Sequence, residues 1–401
     1  MNEAVMHFIW NNRLMRPGAW HTQSGERIWL ESPGQHNRDA GPDFLGAQLR
    51  IGKLWWTGAV EMHWHAMEWY RHRHQLDPAY NQVILHVVWE GSQSATRSDG
   101  SEVDTFVLKP WVDGSILDHY RQLMSDRGEF PCASQRGLVD RSRYFAMLDR
   151  GGLARLEQHT RRFRSYLQRS GGDWDHAIWV GLARSFGMKV NSDAMEQMAL
   201  SIPMSDIKAC RGQFDRIWAL MNDRVGSRTS TIRLRRLRMR PVSFPENKLK
   251  PLAILVAHGL PNAFALMATS HPAQVRALFR NAAVLQPRSN LLPQPDDCLS
   301  PTTLQVFIIH GLIPAIFCYG EQNHWPQVQD RAFQWLEQLG PEKNRFTNIF
   351  ASLDVYANSA LRSQGMIHQM NDYCWPRRCL ECAVGAFLIT RTLNKRYAQT
   401  A

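Results

Sequence analysis

Two short stretches hold residues of the type and spacing that metal-assisted phosphate chemistry needs. Pro42-Asp43 opens one apolar, alternating segment, and Glu61-Met62-His63 lies in the next. A hard cation such as Mg²⁺ takes oxygen ligands, usually one or two carboxylates completed by water and phosphate oxygens. Asp43 and Glu61 supply carboxylates if their segments are neighbouring strands, and the carbonyl of Met62 is a third oxygen. Bound there, Mg²⁺ (or Mn²⁺) lowers the pKa of a water and stabilises charge on a scissile phosphate. His63, on the same strand face as Glu61, is a candidate to position or deprotonate that water. The alternative is structural: Asp43 caps a turn, and Glu61 and His63 are polar residues on a solvated strand face.

Three other groups are chemically suggestive. His63, His65, His72 and His74 are crowded into twelve residues, which suits either a transition metal or packing between sheet and helix. His86, inside an apolar run, reads as a satisfied core histidine or as the outer partner of a ligand. Cys374, Cys379 and Cys382 have the spacing C-x4-C-x2-C, compatible with Zn²⁺ or an iron–sulfur cluster if His368 or Cys318 provides a fourth ligand. Buried free thiols are the other reading. Arg233, Arg235, Arg236 and Arg238 fall among Ile232, Leu234 and Leu237, giving a cationic side suited to a phosphate backbone or simply to solvent.

The elements that must position these groups can be read from periodicity. Residues 3–15 form a helix with an apolar stripe, bringing Glu3 toward the sheet as a candidate outer partner of the metal. Residues 27–31 are a short strand. From Phe44 to Ile51, Ala47, Leu49 and Ile51 alternate with Gln48 and Arg50. After the Gly52-Lys53 turn a third strand runs through Trp64, with Val60, Met62 and Trp64 on one face and Glu61, His63 and His65 on the other. Residues 66–81 have helix-like content. Val83 to Trp89 is apolar and β-branched throughout, as a strand covered on both faces requires. A turn at Ser98-Asp99-Gly100 precedes a further strand at 103–108.

Beyond Pro131 the pattern becomes helical, at 144–169, 174–186, 193–200, 213–222, 247–258, 303–319, 327–339 and 351–370, with a Pro-rich loop at 286–301. Asp173 is placed to cap the second of these, and Asp193 with Glu196 to form a capping box for the third. The expected class is α+β: an αβββαβ domain over residues 1–130, then an α-helical domain over 131–401 carrying the Cys cluster.

Composition sets outer bounds. The chain has 401 residues, a net charge of +11 and 44% hydrophobic residues, ordinary values for a globular protein except for the basic excess. That excess favours a polyanionic partner. Glu3, His7 and Asn11 interrupt the first fifteen residues, which excludes a signal-peptide core there. Leu304 to Tyr319 contains Gln305, His310 and Pro314 and reads as a buried helix, not a membrane span. With seven Cys and no leader, a cytoplasmic protein with reduced thiols is expected.

The element order, with PD at the second main strand and E-x-H in the third, resembles the PD-(D/E)xK phosphodiesterase superfamily over residues 1–110. That resemblance implies a restriction-endonuclease-like fold and a Mg²⁺-dependent nuclease acting on DNA or RNA. Asp43 and Glu61 would be its ligands, and His63 stands where the superfamily has Lys. Over nearly the whole chain the runs SPGQHNRDAGPDFLGAQLRIG, WYRHRHQLDPAYNQVILHVVWE, LARSFGMKVN, RPVSFP and YCWPRRCLECAVG resemble a bacterial family called domain of unknown function 2851. In that family the position of His65 is more often Lys, which makes His65 a candidate to stand in for the missing cation. The competing expectation is a protein that keeps the fold without catalysis, binding nucleic acid or serving as a scaffold.

Overall fold

The computed structural model describes residues 3–188, 190–226, 231–236, 246–259, 262–275 and 301–399. The chain is a mixed α+β protein, an N-terminal sheet followed by a mostly helical region. It divides into two compact units, Met1–Asp140 together with Tyr373–Ala401, and Arg141–Asp372.

In the first unit, helix α1 (Glu3–Asn11) buries Val5, Met6, Phe8, Ile9 and Trp10. The strands are β1 (Trp20–His21), β2 (Arg27–Ser32), β3 (Gln35–His36), β4 (Phe44–Ile51) and β5 (Leu54–His65). They continue as β6 (Val83–Glu90), β7 (Ala95–Thr96), β8 (Glu102–Val103) and β9 (Thr105–Val107). The main sheet runs β1-β2-β4-β5-β6-β9, with β3 also on β4. β2, β4 and β5 form an antiparallel meander, whereas β6 joins β5, and β9 joins β6, in parallel. The predicted alternation holds in β4, where Ala47, Leu49 and Ile51 are buried. Every residue from Val83 to Trp89 is buried, as expected of a strand with neighbours on both edges and cover on both faces.

A parallel pair needs a crossover, and here it occupies residues 66–82. The single helix expected there is absent. One turn of helix, α2 (Glu68–Arg71), is followed by 3₁₀ turns at His74–Leu76 and Pro78–Gln82. Arg73 takes a left-handed conformation, φ 64°, which ends α2. Asp77 then caps the second 3₁₀ turn through Ala79 N–H, with Pro78 preset for the first helical position. The strand expected at 103–108 is likewise split at Asp104 into β8 and β9. Helix α3 (Gly114–Ser125), capped by Asp113, is joined by the C-terminal helix Ala383–Gln399, where His119 Nδ1 lies 3.0 Å from the Ile389 carbonyl.

The second unit is helical. Its longest element, α4 (Arg141–Arg169), packs against the helix Ala360–His368 through glycines: a methyl group on Gly365 would collide with the Leu148 carbonyl. α5 (Trp174–Phe186) is capped by Asp173 as expected. The Asp193–Glu196 capping box is not formed. Asn191 precedes that helix without a side-chain cap, and both carboxylates bond Arg184 instead. Two predicted helices are also broken. The segment 303–319 becomes Pro301–Phe307, a π turn at Ile308–Leu312, and Ile313–Gln322. The segment 351–370 becomes Arg345–Ala351 and Ala360–His368, the latter newly capped by Ser359. Pro301–Gln322 is long and apolar enough to cross a membrane, with mean hydropathy 1.6, and 61% of that stretch is buried inside the protein. The Pro-rich loop expected at 286–301 lies outside the described residues up to its last position.

Candidate metal centre

The register of β4 and β5 pairs Phe44 with Val60, so Asp43 stands opposite Glu61. The two acids are tied to each other's backbone: Asp43 N–H donates to Glu61 Oε2 at 3.1 Å, and Met62 N–H donates to Asp43 Oδ2 at 2.9 Å. From α1, His7 Nε2 lies 3.2 Å from the same Asp43 oxygen. Glu3, on the same helix, is close enough to Asp43 and Glu68 for burial and their charges to raise its carboxyl above the ordinary value.

In the parallel register Glu61 is level with His86, which puts Glu61, His63 and His86 on one face. That face is buried, not solvated: Glu61, His63 and His86 are 5%, 1% and 0% exposed. His63 Nδ1 is 2.9 Å from His86 Nε2. The opposite nitrogen, His63 Nε2, meets His72 Nδ1 at 3.2 Å and His74 Nε2 at 3.3 Å. Glu61 Oε1 completes the group, 3.5 Å from His63 Nε2 and 3.3 Å from His74 Nε2. His74 is held by aromatic rings, stacked on Tyr80 with centroids 3.8 Å apart and edge-on to Trp69 at 5.4 Å.

Left-handed Arg73 is what brings His72 and His74 to the same place. Two residues apart on a regular helix they would point to different faces. The donors of His63, His72 and His74 form a group of three within 4.8 Å of one another, a group that does not include Glu61, whose Oε1 lies near His63 and His74.

Burial dominates the electrostatics of the cluster. Burial and then Asp43 raise the Glu61 carboxyl to about 9, although the Asp43 N–H works the other way. Burial first, then the imidazoles around it, lower His63 to about 2, and burial lowers His86 to about 3. Near neutral pH both imidazoles are therefore neutral and able to offer lone pairs.

These contacts bear on the ion expected from the sequence. Asp43 Oδ2 and Glu61 Oε2 already accept backbone N–H groups, and Glu61 Oε1 faces imidazole nitrogens. Such a nitrogen-rich set does not fit Mg²⁺, which demands oxygen; it fits ions that accept imidazole.

The other sequence candidates are placed elsewhere. His65 is exposed, with Nδ1 3.4 Å from Glu90 Oε1, and does not join the cluster. Cys374, Cys379 and Cys382 are buried in the first unit without a disulfide, and burial followed by Cys382 pushes the Cys379 thiol up to about 12. His368 and Cys318 belong to the second unit, where His368 Nδ1 lies 2.6 Å from Asp372 Oδ2 and Cys318 is buried in the helical core. Arg233, Arg235 and Arg236 are exposed on an irregular segment; Ile232 and Leu234 pack against the core, and Asn191 clasps both the N–H and the carbonyl of Arg235. Arg238 lies outside the described residues.

His7 was missed by sequence reasoning. Its apolar helix offered no sign that one imidazole would meet Asp43.

The fold is that of a mixed α+β protein whose N-terminal sheet, nearly barrel-shaped, carries the carboxylate–imidazole cluster. The chain belongs to the family described as Protein of unknown function (DUF2851), whose model matches residues 3–229 and 224–345. No curated protein and no solved structure matches it.

Proposed function

We propose that this chain is a metal-dependent hydrolase that cleaves phosphodiesters of a nucleic acid at the cluster between β4, β5 and the crossover. The carrying observation is the meeting of Asp43, Glu61 and His63 on facing strands, with four further imidazoles, those of His7, His72, His74 and His86, around them. Support also comes from the order of elements. A leading helix, an antiparallel meander, a crossover and a parallel strand hold PD at the head of β4 and E-x-H in β5. This order follows the PD-(D/E)xK resemblance except for the helix it implies in the crossover, where there is one helical turn and two 3₁₀ turns.

A divalent ion at the cluster would supply Lewis acidity and a water of lowered pKa. The chain's own residues divide the remaining work. Glu61 and the imidazoles of His63 and His74 hold the centre. Asp43, anchored by Met62 N–H, orients His7 Nε2, and this pair on the half-buried edge of α1 carries the proton to or from the reacting oxygen. The exposed Arg233, Arg235 and Arg236 supply a cationic surface for a phosphate backbone.

Purified protein incubated with single- and double-stranded DNA and RNA and with Zn²⁺, Mn²⁺ or Mg²⁺ tests the reading. Cleavage that is lost in Glu61→Gln and reduced in His7→Ala is expected. If no metal supports cleavage of any of these substrates, the hydrolase reading fails. Salt-sensitive binding without cleavage would then favour the binding-only alternative, a reading prompted by His63 standing where that superfamily has Lys.

A further inference from the structure

We propose that Glu61, His63 and His74 hold one transition-metal ion of the zinc class, with His72 as its solvent-side ligand. The proposal names the ion of the centre described above. It rests on the hydrolase reading only for what the ion is used for, not for whether it binds.

The argument begins with distances. Metal–nitrogen and metal–oxygen bonds of about 2.0–2.1 Å in a tetrahedral arrangement set neighbouring donors about 3.3–3.4 Å apart. Glu61 Oε1, His63 Nε2 and His74 Nε2 form a closed triangle with sides of 3.5, 3.3 and 3.3 Å. His72 Nδ1, 3.2 Å from His63 Nε2, stands at the exposed side, where a ligand can exchange with water. Hydrogen bonds between rings can bring two nitrogens together, but three imidazole nitrogens and a carboxylate oxygen converging on His63 Nε2 also match the edges of a metal's coordination shell.

The proton arrangement agrees. A histidine that ligates through Nε2 must carry its hydrogen on Nδ1, and metal-bound histidines usually donate that hydrogen to an outer acceptor. His86 Nε2, 2.9 Å from His63 Nδ1, can be that acceptor; with the hydrogen on His63 Nδ1, the Nε2 lone pair of His63 faces the triangle. The consequence is visible one step further out. His86 must then carry its own hydrogen on Nδ1, and that atom is buried with no hydrogen-bond partner. That tautomer leaves one buried donor without a partner and frees the His63 Nε2 lone pair; the reverse tautomer would put a hydrogen on His63 Nε2, inside the triangle.

Charge gives the third reason. Glu61 lies beside Asp43, and among the described residues neither lysine nor arginine forms an ion pair with it. No side-chain cation of that kind therefore competes with an ion for Glu61 Oε1. The donor set then selects the ion: three imidazoles and one carboxylate suit Zn²⁺ and its imidazole-accepting neighbours, whereas Mg²⁺ would forfeit most of its oxygen shell.

The test uses the full chain, stripped with chelator and titrated with Zn²⁺, Co²⁺ and Mg²⁺ under calorimetry, with elemental analysis of the protein as isolated. One equivalent of Zn²⁺ or Co²⁺ is expected, with Co²⁺ giving the intense visible bands of a low-coordinate nitrogen-rich site, and no competition from millimolar-range Mg²⁺. His63→Ala and His74→Gln should each weaken Zn²⁺ by more than about 100-fold, and His72→Ala by about 10-fold, since removal even of outer partners costs about 10–100-fold. The exposed His21→Ala is the control and should bind as the parent does. Circular dichroism of the stripped variants separates lost ligation from lost folding; should His63→Ala fail to fold, His74→Gln and His72→Ala carry the comparison. Failure to bind Zn²⁺ or Co²⁺, or unchanged binding in His74→Gln, overturns the proposal. Zinc bound without any cleavage leaves this inference standing and removes the hydrolase reading; Mg²⁺-driven cleavage by a protein that takes up no zinc does the reverse.

Discussion

Among the described residues, one buried histidine–carboxylate cluster lies in each unit, around Glu61 and Glu342, and the two resolve their burial in opposite ways. In the helical unit, Arg155 Nε donates to Gln364 Oε1 at 2.7 Å, Gln364 Nε2 donates to Glu342 Oε2, and His310 Nε2 lies 3.4 Å from Glu342 Oε1. Arg155 also approaches His159 Nε2 at 3.4 Å, and the His159 and His310 rings meet edge to face. The network carries its own guanidinium. Burial opposes ionisation of Glu342, yet hydrogen bonds from His310 and Gln364 and the charges of His310 and Arg155 hold its carboxyl below the ordinary value. Around Glu61 no such cation exists among its described partners, and its carboxyl moves the other way. The first cluster supplies its own counter-charge; the second lacks a lysine or arginine partner among the described residues, and that is the contrast on which the proposed ion site rests.

The largest effect that would break this contrast lies in the helical unit. Glu342→Ala leaves Arg155 half-buried without its nearby carboxylate, and should lower stability by about 3–5 kcal/mol in urea denaturation while leaving zinc uptake intact. A neutral result would mean that the network is not structural. Next, zinc at 100 times its dissociation constant should stabilise the first unit by about 2.7 kcal/mol in the parent, seen as a calorimetric shift, and should leave His74→Gln unmoved.

A pH series sharpens the comparison further. Burial, then His310 and the nearby arginines, lower His159 well below its ordinary value, so the folded protein binds fewer protons than the unfolded chain below about pH 6.5. Stability from this group is complete above that pH and drains as the pH falls, by at most about 1.4 kcal/mol per unit. His159→Gln should flatten that part of the profile. The smallest change is expected at Asp193, 84% exposed beside an Arg184 that retains Glu196: Asp193→Ala should stay within about 0.5–1 kcal/mol in the same denaturation assay.

The facing of Asp43 and Glu61 was legible because it depends on local rules. Alternation sets which side chains share a face, and a tight turn at Gly52-Lys53 sets the antiparallel register. Glycine at position 52 has φ 59°, a conformation that turn requires. Residues 66–82 were misread for a physical reason as well. Their composition favours a helix, but the span from β5 to the start of β6 is bridged by one helical turn and two 3₁₀ turns, with Arg73 in a conformation that helix propensity disfavours. The capping box failed for a similar reason. Arg184, nine residues upstream, offers Asp193 and Glu196 a full positive charge in place of backbone amides.

By itself the sequence determined the longer strands β2, β4, β5 and β6, the α+β class and the pairing of two acids across a hairpin, since nearest-neighbour periodicity and turn chemistry govern all three. Only the tertiary structure decided what the site is made of. His86 reaches His63 through a parallel pairing that closes across the crossover, His7 arrives on a separate helix, and His72 and His74 converge through one left-handed residue. Local periodicity cannot encode such convergence, because it depends on where distant segments stop. For that reason a pair of acids that reads as a magnesium site along the chain becomes, once folded, a nitrogen-lined one.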